Sequence, residues 1–221
     1  MKKLLMILII STTCDITAFA QNAFKQGHID YTIAIIGNEQ AAQMMNGDTT
    51  KFTVKDSMIK TDMDLGMFKT TFITDANSKK ATMLMDMMGN KYAVALSADD
   101  LKQQAASKPD YDVQYVDSTK VIAGHTCKKA IVSLKDKKSG AKSFTVWYDP
   151  TFVMPGGDQN VYAKIKGIPL QYGMSQKGID MELTCVLIDN KPVDASVFTI
   201  PDGYTSMSMA DFKAAMGGMQ H

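Results

Sequence analysis

Alternation of apolar and polar residues recurs along almost the whole of this chain, and it limits the fold more than any other feature. In HIDYTIAII the residues Ile29, Tyr31, Ile33 and Ile35 share one phase, Phe52 and Val54 repeat it in KFTVKD, and SMIKTDMDL does so with Ile59, Thr61, Met63 and Leu65. KTTFITD and ATMLMDM follow, the latter grouping Met83, Met85 and Met87. The pattern then runs through NKYAVAL, VQYVD, TCKKAIVSL, KSFTVWYD, VYAKIKG, IPLQYGMS and DMELTCVLID. A period of two sends successive side chains to opposite faces, so each run has one face to bury and one wetter face. Turn chemistry separates many of the runs, as at Asp75-Ala76-Asn77, Gly89-Asn90, Lys138-Ser139-Gly140 and Gln176-Lys177-Gly178. Strands joined by such short links are most simply antiparallel, and a sheet of about ten strands tends to curl or close.

Helices are few. Ser97-Ala98-Asp99-Asp100 has the form of a capping box, continued by Leu101 to Ala106 and stopped by Pro109. Ser208-Met209-Ala210-Asp211 repeats it, with Phe212, Ala215 and Met216 at helical spacing and Gly217-Gly218 to end it. Glu39 to Met45 reads as a third short helix before Asn46-Gly47. The expected fold is mainly β with some helix: a curled antiparallel half-barrel of about ten strands covered by two or three short helices.

Gly167-Ile168-Pro169 interrupts this β-rich pattern and could mark either a loop carrying chemistry or a bend. Proline cannot donate to a ladder and belongs at a strand start or on an edge. Ile168, Leu170, Tyr172 and Met174 share one phase just beyond it, and the loop holds no acid, base or nucleophile beyond Lys164 and Lys166. The segment reads as a strand starting at a bend.

Residues 1–20 have the pattern of a secretory signal peptide. Lys2 and Lys3 precede the apolar run Leu4 to Ile10, and Ala18-Phe19-Ala20 supplies small residues for cleavage before Gln21. A lipoprotein signal would need a small residue before Cys14, where Thr13 stands, so the acylated form fits poorly. The expected organisation is a signal peptide over 1–20 and one half-barrel domain over 21–221 with a Met-rich helical C-terminal segment, located in the periplasm or cell envelope. No later run is long enough for a transmembrane helix. Without Lys2, Lys3 and Asp15 the lysines and the acidic residues balance, and arginine is absent. Neither property suits a nucleic-acid partner, since phosphate sites lean on excess positive charge and bidentate arginine.

Motifs of catalysis are missing. His28, His125 and His221 have no ligand spacing, and there is no nucleophile elbow, phosphate loop or zinc-protease signature. His125 and Cys127 are two apart, but a Cys–His pair would need a third group to orient the base. Strict alternation puts Cys185 in the apolar phase with Met181 and Leu183, and Cys127 opposite Ala130, Val132 and Leu134. That aims the two thiols to opposite sides of their strands and leaves them unpaired, unless a bulge at Lys128-Lys129 reverses it. Methionine is the unusual component: of 18, Met1 and Met6 fall in the leader. Met207, Met209, Met216, Met219 and His221 could hold Cu(I), whereas thioethers elsewhere suit the wall of an adaptable apolar cavity.

VIAGHTCKKAIVSL, then FTVWYDP, then KGIPLQY resembles the order of segments in the GLPGLI family of secreted proteins, although the bend here lacks that signature's second glycine. IKTDMDLGMFKTTFITDANSKKATMLMDMMGNKYAVAL is similar to a sister family of exported Gram-negative envelope proteins known as a domain of unknown function. FTIPDGY is similar to the end of lipoprotein-carrier-like (LolA/LolB-like) domains. The resemblance implies a half-barrel whose concavity is covered by helices and, in the carrier branch, holds acyl chains. Together with the apolar phases this gives an expected function. The chain would be a non-enzymatic envelope protein binding a lipid-like or acyl-chain ligand, without cofactor or metal, along Met83, Met85, Phe144, Val146, Leu170, Tyr172 and Met174. Cu(I) handling by the C-terminal segment is the alternative.

Overall fold

The computed structural model describes residues 22–44, 48–65, 68–87, 89–135, 142–156, 162–176 and 178–217; the expected signal peptide, its cleavage site and Cys14 lie outside them. The first half of the chain supplies β1 (Asn22–Ala23), β2 (Gln26–Ile36), β3 (Thr49–Lys55), β4 (Met58–Leu65), β5 (Phe68–Asp75), β6 (Lys80–Met87) and β7 (Asn90–Leu96). The second half supplies β8 (Tyr111–Ile122), β9 (His125–Leu134), β10 (Ser143–Asp149), β11 (Phe152–Val153), β12 (Ile168–Gln176), β13 (Ile179–Asp189) and β14 (Thr205–Ser208). Among the described residues the α-helices are α1 (Glu39–Met44), α2 (Ala98–Ser107) and α3 (Met209–Gly217), with a short 3-10 helix at Ala195–Phe198.

Twelve strands form one sheet in the order β14-β7-β6-β5-β4-β3-β2-β13-β12-β10-β9-β8, while β1 and β11 make a small parallel pair. Strands β2 to β7 each pair antiparallel with the next, and so do β8, β9, β10, β12 and β13. The antiparallel β2–β13 pair joins these two meanders. The short turns expected from sequence account for most of this order. The exception is β14, which lies parallel to β7 along Tyr92 to Ala95.

The link from β7 to β8 requires the sheet to curl. These strands lie near opposite edges, separated by about ten strand spacings, or about 47 Å if flat. The ten residues of α2 cover about 15 Å, and the few extended residues flanking it add about as much again. The link can reach only if the sheet bends its edges towards each other, so this one covalent connection enforces an open curled sheet with α2 across one face.

Alternation holds along most of the strands read from it. Ile29, Tyr31 and Ile33 are buried and Thr32 and Ala34 are exposed. The capping box at Ser97 forms in full: Asp100 N donates to Ser97 Oγ at 3.1 Å and Ser97 N to Asp100 Oδ2 at 2.8 Å; at Ser208 the side-chain half forms, with Asp211 N donating to Ser208 Oγ at 3.1 Å and Ser208 Oγ to Asp211 Oδ2 at 2.6 Å. Gly167 and Pro169 do mark a strand start at a bend. β12 begins at Ile168, and its pairing with β10 carries a bulge between Trp147 and Tyr148 where Pro169 sits. The run VYAKIKG is a correction, because Tyr162 to Gly167 form turns and bends. Tyr162 and Ile165, spaced by three, are both buried, so the apolar signal was real but belonged to a turn.

The main core lies on the face bearing the helices, over β2, β13, β12, β10 and β9, where Tyr111, Ile122, Tyr162, Ile165 and Phe24 close it. A smaller core on the opposite face packs Ile73, Leu84 and Ala93 against Val193 and Phe198 of the chain that follows β13.

Candidate functional site

Cross-strand register makes the helix-bearing face continuous across both meanders. One row runs Cys185, Tyr31, Thr50, Met63, Thr70, Met85 and Tyr92; the next runs Ile29, Phe52, Thr61, Phe72, Met83 and Val94. All these residues share a phase, but they do not share a covering. In the β2–β9 half the face is sealed. In the β4–β7 half Met63, Thr70, Phe72, Met83, Met85 and Tyr92 remain half-buried.

This division corrects the expected ligand wall. Val146 and Leu170 are fully buried and Tyr172 is 7% exposed, all three inside the main core. Burial and the neighbouring Tyr162 ring push the Tyr172 hydroxyl pKa well up, as expected for a group with no solvent access. Met174 is half-buried and packs on the edge of that core. Phe144 is half-buried, and its ring occupies the space that a Cβ on Gly173 would need. Met83 and Met85 stand on β6, well along the sheet from β12. The seven residues therefore do not converge, and only the two methionines belong to the open part of the face.

The space over that part is set by α2. None of its residues is buried, although Leu101 and Ala105 are one turn apart and turned to the sheet. A cavity of about 330 Å³ remains between them and Phe72, Thr74, Ala81 and Leu96, with Lys79, Lys102 and Lys108 at its rim. Towards the other end of the same face, Phe212 of α3 meets the Tyr92 ring edge-on at 6.1 Å. The sequence reading missed Phe72, Ala81, Leu96, Leu101 and Ala105. Their apolar phase was visible, but nothing local says that α2 folds back over β5–β7. At the β3 end of the face, Asp48 Oδ2 and Thr50 Oγ1 are buried and have no hydrogen-bond partner among the described residues. Burial first, then the Asp64 charge, raises the Asp48 pKa.

His125 does have the third group that a catalytic pair would need. Its Nδ1 lies 2.8 Å from Asp149 Oδ2, while the backbone N–H and the hydroxyl of Thr151 donate to Asp149 Oδ1 at 2.8 and 2.6 Å. The thiol does not join them. Cys127 Sγ donates to the His125 carbonyl at 3.6 Å, and burial with the nearby Asp149 charge pushes its pKa up to about 11. An activated cysteine needs the opposite environment.

Both described cysteines, Cys127 and Cys185, are free, as expected, but the reason given by strict alternation fails. Cys127 and Ala130 are both fully buried, so the phase of β9 changes at Lys128-Lys129. The β8–β9 register shifts at this point, between Val116 and Thr119. Both thiols therefore enter the main core, on strands separated by β10 and β12.

Among the described residues no group of three or more His, Cys, Asp and Glu could hold a metal. Met207 and Met209 are half-buried in β14 and α3; the Met216 side chain, Met219 and His221 lie outside the described residues, and with them most of the Cu(I) alternative. No described helix is long and apolar enough to cross a membrane.

No protein-family profile and no curated protein sequence matches this chain. Among solved structures, PNGF-II superposes with a TM-score of 0.52 at 13% identity over 86% of this chain. The match takes in only 32% of the PNGF-II chain, so this protein spans about a third of that length. It is a likeness of fold. Lipoprotein LppX of Mycobacterium tuberculosis matches with a TM-score of 0.40 and 14% identity, covering 76% of this chain and 88% of LppX. LprF of Mycobacterium bovis matches at 0.36 and 11%, covering 82% and 91%.

Proposed function

We propose that this chain is an exported, non-enzymatic envelope protein that binds a lipid-like or other apolar ligand on the helix-bearing face of its sheet. The observation that carries this reading is the uneven covering of one continuous apolar face. Half of it is a closed core, while the β4–β7 half keeps Met63, Phe72, Met83, Met85 and Tyr92 half-buried, and Phe72 also lines the cavity of about 330 Å³ under α2. Small-molecule pockets begin near 300 Å³, so a segment of acyl chain or a compact apolar group fits the size. Methionine suits the half-open face next to that cavity, where Met83 pairs with Phe72, because its unbranched thioether takes many shapes at little strain. The unsatisfied Asp48 and Thr50 oxygens add a preference for a head group that donates hydrogen bonds. The resemblance of the sequence to carrier-type domains points the same way.

The test is titration with Nile red, a neutral apolar dye whose fluorescence rises on leaving water. Saturable binding, displaced by a monoacylglycerol, is the expected result. A wild-type protein that binds neither compound would sink the carrier reading.

A further inference from the structure

A second cavity, of about 430 Å³, lies at the border of the main core and far from β6, where β1 and the first residues of β2 meet β11 and the end of β13. Phe24, Phe152 and Ile188 give it apolar walls, and His125, Lys25 and Asp189 give it charge. Its polar side is built. Asp149 is 2% exposed and holds His125 by Nδ1, with both Thr151 donors fixing the carboxylate. With Nδ1 so committed, Nε2 has no hydrogen-bond partner among the described residues, and the ring lines the cavity. Phe152 meets the same ring at 6.2 Å and Phe24 meets Phe152 edge-on, so the imidazole orientation is set from two sides. Lys25 makes no ion pair among the described residues, whereas Asp189 is already answered by Lys191, from its ammonium at 3.2 Å and its backbone N–H at 3.2 Å.

We infer that this cavity binds a small organic carboxylic acid with an aryl or short alkyl body. An oriented histidine backed by a buried carboxylate can take a proton at Nε2, because the charge that forms is compensated through Nδ1–H. An entering acid passes its carboxyl proton to Nε2, and its carboxylate then lies between the Nε2–H and the Lys25 ammonium. An acid that arrives ionised finds the same pair of cations once Nε2 has taken a proton from solvent. The apolar body packs on Phe24, Phe152 and Ile188. Among the described residues no serine, threonine or cysteine lines the cavity, and the Cys127 thiol is turned to a backbone carbonyl, so the proposed role is binding. A purely structural role, stapling the start of β9 to the end of β10, would need neither an open Nε2 nor an unpaired lysine beside it.

The test is calorimetric titration of the full chain with phenylacetate, beside proton–nitrogen NMR of the histidine side chains. The expected result is saturable binding with a shift of the His125 Nε2 resonance, weakened at least tenfold in Lys25→Gln and in His125→Phe. Phenylethanol, which has the ring without the charge, should bind at least tenfold more weakly to the wild type. His125→Phe leaves Asp149 without its ring partner and can unfold the chain, so the exposed Lys25 position and the alcohol carry the test independently. Met85→Lys, on the helix-bearing face, should leave phenylacetate affinity unchanged, which separates this site from the apolar one. The inference is overturned if wild type shows no saturable phenylacetate binding. It is equally overturned if Lys25→Gln and phenylethanol match the reference, or if Met85→Lys abolishes binding.

Discussion

Tyr31 on β2 donates its hydroxyl hydrogen to the carbonyl of Pro169 on β12 at 2.7 Å, across the intervening strand β13 and 138 residues along the chain. The bond ties the joint between the two meanders to the bulge where β12 begins. Tyr31 is 3% exposed, and burial, followed by its Tyr172 neighbour and the two thiols, holds its pKa well above the ordinary range. Tyr31→Phe keeps the ring and its edge contacts with Phe52 and Tyr172, at 5.7 and 5.8 Å, but leaves a buried carbonyl unpaired. The expected cost is about 1–3 kcal/mol, read as a lower urea midpoint with an unchanged slope. An unchanged midpoint would mean that the carbonyl finds another donor.

Gly167 fixes the same corner through backbone geometry. Its φ is +154°, and a Cβ there would lie 2.3 Å from the Asp149 carbonyl oxygen, a backbone atom that cannot swing away. Gly124, with φ +83°, has nothing within 4 Å. Gly124→Ala should therefore cost only about 1 kcal/mol for its positive φ, and Gly167→Ala several times as much. Thermal melts of the two variants side by side check this; equal shifts would show that the corner has room.

The buried thiols set a chemical prediction. With pKa values pushed up to about 11 for Cys127 and about 12 for Cys185, burial being the first cause in each, native protein at pH 8 holds roughly one thiolate in a thousand or fewer. Ellman's reagent should label neither cysteine until the chain is unfolded, and then both. Rapid labelling of folded protein would contradict the buried placement.

The same shifts have a consequence for stability. Folding holds the proton on each sulfur, so the unfolded chain sheds it first, near the ordinary thiol pKa of 9. This contribution is fully present below that pH. It is lost as pH rises towards 11 and 12, at about 1.4 kcal/mol per unit for each thiol. Denaturation midpoints of the wild type and of Cys185→Ala should converge through this window.

Met85 and Val146 share a face but should respond oppositely to charge. Met85 is half-buried, so lysine there can carry its ammonium to water; Met85→Lys should fold and lose Nile red binding by at least tenfold. Val146 is fully buried, and Val146→Lys buries an unpaired charge at a cost of several kcal/mol against a typical total of about 5–15 kcal/mol. Melts and dye titration of both variants decide it. Global unfolding of Met85→Lys, with wild type binding no dye, would count against a ligand space at β6.

What the sequence determined by itself was local. Alternation in HIDYTIAII or ATMLMDM sets which side chains share a face, because the pleat has a period of two whatever the strand pairs with. The capping serines Ser97 and Ser208 set where helices begin, because capping is settled within four residues. Coverage is a different quantity. Val146, Leu170 and Met85 carry the same apolar phase, yet Tyr162 and Ile165 close over the core around the first two and leave the third half-open. Only the return of distant chain across the sheet decides that. The position of α2 followed from the short β7–β8 link once strand order was known, and no local pattern contains strand order. Cys127 was misplaced because a register shift opposite Lys128-Lys129 reverses phase, and a bulge depends on the partner strand. His125 and Asp149, 24 residues apart, became a pair only when β9 and β10 aligned. Periodicity reports what each strand offers to the rest of the chain; tertiary packing decides which of those offers is taken up, because burial depends on neighbours remote in sequence.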